Sequence, residues 1–163
     1  MKARLDDRAF RELVEPHRAR LWGVCLAVTG NPSDAEDALQ ECLIAAWRSL
    51  PGFRGDSSFS TWIYRIAVNA SRALLRRRRE LAEELGEYAD PRHGFDERIA
   101  VRDRVQRALA QLSEDRRVAL VLREYGELSY NEIAEQQGIP VQTVKSRISR
   151  ARDDMRRILS EEM

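Results

Sequence analysis

The sequence predicts an all-α protein of two small helical domains joined by a flexible acidic linker. Three observations predict it. Apolar residues recur at steps of three and four through most of the chain. Aromatic residues are only 7% of the 163, while the helix formers Ala, Leu, Arg and Glu abound. The periodicity then decays over 81–97, where six acids accompany one cation and Gly86, Pro91 and Gly94 punctuate the chain. The domains are accordingly 1–80 and 98–163. The second is small, so its core alone is marginal.

Three helices are expected in the first domain. Phe10, Leu13, Val14, His17, Leu21, Val24, Cys25 and Val28 form the stripe of a long first helix over residues 6–29. Thr29-Gly30-Asn31-Pro32 breaks it. Ser33 or Asp34 caps the second helix, whose first turn holds Asp34, Glu36 and Asp37, as the helix dipole favours. Its inward positions are Ala35, Ala38, Leu39, Cys42, Leu43, Ala46 and Trp47. Residues 50–58 read as a loop. The third helix starts at Phe59 or Ser60 and runs to Arg79, with Trp62, Ile63, Ile66, Ala67, Ala70, Leu74 and Leu75 inward.

In the second domain, periodicity resumes at Ile99 with Val101, Val105, Leu109 and Leu112. Ser113-Glu114-Asp115 caps a helix over 116–125, ended by Gly126. The stretch from Ser129 to Arg152, SYNEIAEQQGIPVQTVKSRISRAR, is the most informative. Ser129 and Glu132 fit a capping box, Gly138 supplies a left-handed helix end, and Pro140 prevents continuation. The next helix carries Val144, Ile148, Ala151, Met155 and Ile158 inward. Opposite them stand Gln142, Thr143, Lys145, Ser146, Ser149 and Arg150, side chains suited to base edges and phosphates in a major groove. Six cations against two anions over 141–157 favour DNA over an ordinary solvated hairpin.

Net charge is only +1, but it is sorted. Residues 1–80 carry a net of +4 and residues 81–163 a net of −3. Within the first domain, Trp62, Arg65, Asn69, Arg72 and Arg76, with Tyr64 and the run through Arg79, put cations beside aromatics, as single-stranded nucleic acid requires. Trp62 fits a core position and a DNA contact equally well. The arginine run has no acid before Glu80, which favours a phosphate-facing role over mere solubility. Asp34, Glu36, Asp37, Gln40 and Glu41 form an acidic face; the dipole explains the first three, and a basic protein surface would explain all five.

Several classes are excluded. Gly52 and Gly55 are not followed by the Lys and Ser/Thr of a phosphate loop. His17 and His93 have no nucleophile or orienting acid, so no enzyme is expected. Neither histidine has ligand spacing with Cys25 or Cys42, so no metal and no cofactor are expected; the cysteines read as buried free thiols. No apolar run reaches the roughly 20 residues of a membrane span, and the start has no signal core, which leaves a cytoplasmic protein.

Three segments in order, DAEDALQECLIAAWRSL (34–50), FRGDSSFSTWIYRIAVNASRALLRRRR (53–79) and LSEDRRVALVLREYGELSYNEIAEQQGIPVQTVKSRISRARDDMR (112–156), resemble the extracytoplasmic-function group of bacterial RNA polymerase sigma factors. The resemblance implies a region-2-like domain, a region-4-like domain and a sigma factor that directs promoter-specific initiation. The acidic face would meet the clamp helices of the largest polymerase subunit, and the polymerase flap would be a further partner. A base flipped from the downstream (−10) element would enter a pocket at Ser49, Leu50 and Phe53, faced by Asn69, while Arg72 and Arg76 would hold the strand. Lys145, Ser146, Ser149 and Arg150 would read the upstream (−35) element; some relatives have an aromatic at Ser149. The linker would thread the polymerase cleft in place of RNA. An anti-sigma protein often holds such factors, and no small-molecule substrate is implied. The rival reading is a stand-alone helix-turn-helix regulator, which leaves the arginine run, Trp62 and the acidic face unexplained; a module that sequesters sigma factors is a third.

Overall fold

The computed structural model describes residues 7–86 and 100–162, with side chains at 7–86 and 104–162. The part of the expected linker at 87–97, with Pro91, His93 and Gly94, lies outside the described residues, as do the expected core position Ile99 and the side chain of Val101. The first domain holds α1 (Asp7–Val14), α2 (Arg18–Thr29), α3 (Pro32–Ser49) and α4 (Phe59–Leu85). The second holds α5 (Ala100–Gln111), α6 (Glu114–Glu124), α7 (Tyr130–Gln137) and α8 (Val141–Glu161). All described elements are helical.

The expected first helix is two. Pro16 lacks a donor and clashes with the preceding turn, so Glu15–His17 tightens into a 3-10 turn between α1 and α2. The cap of α3 is Asn31, whose side chain accepts from the Asp34 N–H at 2.9 Å, and Pro32 occupies the first helical position. Neither Ser33 nor Asp34 performs that role. Ser58 caps α4 through the Thr61 N–H. The helix then continues past Arg79 to Leu85 and ends at Gly86 in the left-handed region, so 81–85 is helix and not linker. Leu81 and Leu85 remain exposed on that extension.

In the first domain α2 packs on α3 and α4, and α3 on α4. Leu21, Val24, Cys25, Val28, Ala38, Cys42, Ile63, Ala67 and Val68 are buried between them. A fully buried branched or aromatic side chain of this kind contributes roughly 1.5–3 kcal/mol. Leu13 and Trp47, expected inside, are 38% and 39% exposed. Trp47 instead meets Phe10 edge to face, with ring centroids 5.2 Å apart. In the second domain α8 packs on α5, α6 and α7 through Val144, Ile148, Ala151 and Ile158, the expected stripe, with Met155 half-buried.

The two domains touch. α2 lies against α5 and α6, α4 lies against α6, and buried apolar residues of both domains form one cluster. This third neighbour explains why α4 is buried over more than one stripe. Tyr64, named from the sequence among the aromatics beside the arginines, is 2% exposed and belongs to the core. Its hydroxyl lies 3.4 Å from His17 Nδ1.

Candidate nucleic-acid interface

The helix-turn-helix is built locally. Ser129 Oγ accepts from the Glu132 N–H at 3.1 Å, and Glu132 Oε1 accepts from the Ser129 N–H at 3.0 Å, which closes the capping box. Gly138 has φ +65, a value that disfavours any side chain, and lets the Ile139 N–H reach back to the Ala134 carbonyl at 3.1 Å. Pro140, extended at ψ 149, then starts α8. The close approach seats the buried Ile133 and Ala134 of α7 beside Val144 and Ile148 of α8.

The outer side of α8 presents Gln142, Lys145, Ser149 and Arg150 exposed, with Thr143 and Ser146 half-buried. Gln142, Thr143, Ser146, Arg147 and Arg150 line one wall of a cleft of about 420 Å³, closed on the other side by Ser113, Asp115 and Arg116 of the α6 start. Most cations of α8 are neutralised: Arg147 by Asp115 at 3.8 Å, Arg152 by Glu124 at 2.8 Å, Arg156 by Asp153 at 3.1 Å and Arg157 by Asp154 at 3.7 Å. The hydrogen bond from Arg152 to Glu124 holds that guanidinium still more firmly charged. Lys145 and Arg150 have no acidic partner among the described residues.

A second face runs along α4. Trp62, Arg65, Asn69, Arg72, Arg76 and Arg79 follow at steps of three and four and so share one side of the helix. Trp62 is half-buried in a ring cluster, 5.0 Å from Phe53 and 5.6 Å from Phe59, and His17 lies 5.6 Å from Phe59. Phe59 and His17 were not among the expected site residues; their only signal was the aromatic content around the loop. Ser49 is exposed and Phe53 half-buried, but Leu50 is 8% exposed and anchors the 3-10 turn Leu50–Gly52 to the core. Leu50 therefore supports a surface at this turn and does not form it.

The acidic face and the arginine run neutralise each other. Arg77 pairs with Glu41, and Arg78 Nη2 reaches Asp34 at 3.0 Å and Asp37 at 3.6 Å. Asp34 is 5% exposed, engaged by Arg78 and by the Asn31 amide, and is thus a fold residue. Glu36 and Gln40 point outward with no ion pair or hydrogen bond among the described residues, Asp37 is exposed and Glu41 half-buried. Arg79 turns to the other domain, 2.8 Å from Glu114. The run 76–79 thus splits by helical angle, and Arg76 alone in it has no ion pair among the described residues.

Cys25 and Cys42 are buried free thiols. Desolvation pushes Cys25 up to about 11 and Cys42 up to about 12, which makes both unreactive near neutrality. Among the described residues, no group of three His, Cys, Asp or Glu could hold a metal ion, and no helix is long and apolar enough to cross a membrane.

Comparison with known proteins matches this division. Residues 13–80 fit the model of Sigma-70 region 2, and residues 102–155 that of Sigma-70, region 4. The chain is 39% identical over 163 aligned residues to the RNA polymerase sigma-H factor of Pseudomonas aeruginosa, covering 91% of this chain and 84% of that one. It is 39% identical over 165 to the ECF RNA polymerase sigma-E factor of Escherichia coli K12, covering 91% and 85%. In structure it is similar to the sigma factor RpoE of Bartonella quintana in complex with the anti-sigma factor NepR, with TM-score 0.80, 26% identity and coverage of 94% and 98%. It is also similar to CnrH in complex with the cytosolic domain of CnrY, with TM-score 0.70, 30% identity and coverage of 98% and 92%. The chain belongs to the extracytoplasmic-function group of RNA polymerase sigma factors, which join core polymerase and direct promoter-specific transcription initiation.

Proposed function

We propose that the three surfaces divide the work of initiation. α8 reads the upstream element as duplex through Gln142, Thr143, Lys145, Ser146, Ser149 and Arg150. α4 and the turn before it take the downstream element as a melted strand: Trp62 and Phe53 offer rings for stacking, Asn69 an amide for a base edge, and Arg65, Arg72 and Arg76 charge for phosphates. Glu36, Asp37, Gln40 and Glu41 dock the first domain on a basic polymerase surface. The protein is a non-catalytic subunit, acting in the cytoplasm where polymerase works. By analogy with the relatives seen in complexes, an anti-sigma protein is a further partner.

The observation that carries this reading is the selective neutralisation of α8. Its flanking arginines are paired, while Lys145 and Arg150, at the exposed centre of the outer face, are not. An unneutralised cation on a helix-turn-helix second helix gains a partner only when a polyanion arrives. Each domain alone is a weak reader; polymerase holds both at fixed spacing, so the second contact is intramolecular.

Reconstitution tests it. The purified chain mixed with core polymerase should co-elute and produce defined transcripts in run-off assays on a genomic promoter library. Failure to join core, with tight sequence-selective operator binding by the free chain, would identify a stand-alone regulator instead.

A further inference from the structure

We propose that His17, on the short turn ahead of α2, is a positioning residue for strand capture: it fixes Phe59, and through Phe59 the rings of Phe53 and Trp62 that take a base. The proposal rests on the reading of those rings as stacking surfaces given above. The rings form one unbroken path. His17 and Phe59 have centroids 5.6 Å apart, and His17 meets Tyr64 edge on at 6.0 Å. Phe59 lies 5.6 Å from Trp62 and 6.4 Å from Phe53, and Phe53 lies 5.0 Å from Trp62. All these spacings fall in the range of about 4.5–7 Å over which aromatic pairs attract. One end of the path, Tyr64, is buried in the core, while Phe53 and Trp62 at the other end are half-buried and reach solvent.

The solvent end needs a hold that local structure does not supply. Phe53 ends the 3-10 turn Leu50–Gly52 and leads into a loop. Phe59 is the first residue of α4, where backbone N–H groups lack intrahelical partners. Among the described residues, His17 is the only ring from outside 53–62 that meets Phe59. A base slot made of two or three rings selects by shape only while the rings keep their angles, so the residue that fixes Phe59 bears on which base is held.

The His17 side chain is available for this role. It stands at the N-cap of α2 but makes no capping hydrogen bond there. Pro16, which splits α1 from α2, sets the turn that carries it. Tyr64 sets its rotation. An arginine only donates, so the Tyr64 oxygen accepts from Arg20 and turns its own proton to His17 Nδ1, 3.4 Å away. Burial raises the Tyr64 hydroxyl above its ordinary value, against the pull of Arg20, so that proton is kept. Nδ1 accepts, the neutral imidazole carries its proton on Nε2, and the ring is left at a 47° tilt to Phe59. A buried hydrogen bond at one edge and a ring contact on the other side fix a side chain that neither would fix alone.

The test uses the full chain with core polymerase and forked DNA from a promoter found in the run-off assay, with an abasic site at each downstream-element position in turn. In wild type, removing the base at one position should weaken binding about tenfold, as the loss of one base-ring stack does. The ratio of intact to abasic binding is the readout. A substitution that merely destabilises the domain lowers both affinities and leaves their ratio alone. His17→Ala should cut the ratio at that position about threefold, the share of one aromatic pair. His17→Phe, which keeps the ring and loses the hydrogen bond, should recover most of it. Glu15→Gln, on the same turn and off the ring path, should change nothing. Circular dichroism verifies helix content. A ratio unmoved by His17→Ala, or His17→Phe no better than His17→Ala, would overturn the proposal. Phe53→Ala tells the two readings apart. If it collapses the ratio while His17→Ala does not, the rings hold the base without His17. If no wild-type position responds to base removal, or Phe53→Ala leaves the ratio intact, the rings hold no base, and the role of His17 falls with that reading.

Discussion

On α8, Lys145 and Arg150 stand exposed with no ion pair among the described residues, whereas on α4 Arg65, Arg72 and Arg79 each face a carboxylate of the opposite domain. Both helices are arginine-rich, and both resembled DNA-binding elements as sequence. Their difference lies in their neighbours. A duplex-reading helix needs no change in DNA before it can dock, so an open surface on it costs little selectivity. A strand-reading surface left open would bind any single strand it met, because stacking and phosphate contacts are tolerant of sequence. The tolerant reader is covered by the other domain, and the selective one is exposed.

The comparison breaks most visibly if the domains are independent. Ile63 of α4 and Ile148 of α8 are 0% and 1% exposed, so Ile63→Ala and Ile148→Ala should each destabilise by roughly 2–5 kcal/mol. Trp22, Trp47 and Trp62 all lie in the first domain, so tryptophan fluorescence reports that domain alone. In a urea melt, Ile148→Ala should nonetheless shift the fluorescence transition, because buried residues of both domains form one cluster. A fluorescence transition that Ile148→Ala leaves in place, while circular dichroism shows an earlier one, would mean the α4 face is not stably covered.

A smaller effect separates the two readers by activity. Arg150→Ala removes an unpaired cation and should cost about 1–3 kcal/mol in initiation at promoters that depend on the upstream element. Arg72→Ala should show less in the same run-off assay, because it loses a strand contact and at the same time releases Glu114 and Asp115. Equal losses from both would show that the ion pairs on Arg72 are too weak to matter.

The scaffold of the open reader can be tested separately. Ser129→Ala deletes the cap of α7 and should cost roughly 0.5–2 kcal/mol of stability, with Ser129→Asp retaining most of it. Urea melts monitored by circular dichroism read both. An unchanged midpoint for Ser129→Ala would show that α8 is held by its packing and not by the turn.

The capping box at Ser129 and Glu132, the left-handed Gly138 and the α8 stripe were legible because each involves residues within a few positions of one another. The surfaces on α8 and α4 were legible for the same reason, as spacings along one helix. What escaped is long-range or competitive. Pro16 sits within an unbroken apolar stripe, and its missing donor outweighs that stripe. Asn31 precedes a proline and outcompetes Ser33 as cap because Pro32 fixes the first helical turn. The opposite charges of 34–41 and 76–79 were both visible, but nothing local reveals that Arg77 and Arg78 turn toward α3 while Arg79 turns toward Glu114. Tyr64 was grouped with the aromatics beside the arginines, but α4 is covered on more than one side and Tyr64 is buried. Glu114 and Asp115 explained themselves as a helix start, which hid their second role.

The least effect expected, and the most specific to the contact between domains, is on acid. With the domains in contact Glu114 is held below its ordinary 4.5, against burial, by Arg79 and Arg72 of α4 and by Arg117 of its own helix; domain separation would release the hold of Arg79 and Arg72 and leave that of Arg117. A carboxyl depressed in one state stabilises that state above its ordinary value and ceases to as pH falls through the depressed one. Domain contact should therefore be insensitive to Glu114 titration at neutral pH and should loosen below about 4.5. Each such partly exposed pair is worth at most about 1 kcal/mol, so the shift in the fraction with domains in contact is modest. Scattering across that range, with helix content held constant, should show wild type expanding as pH drops, while Glu114→Gln is already more open at neutral pH and changes less. Expansion of equal size in both would place the acid sensitivity on Asp115 or Glu132 and reduce Glu114 to a helix-capping acid.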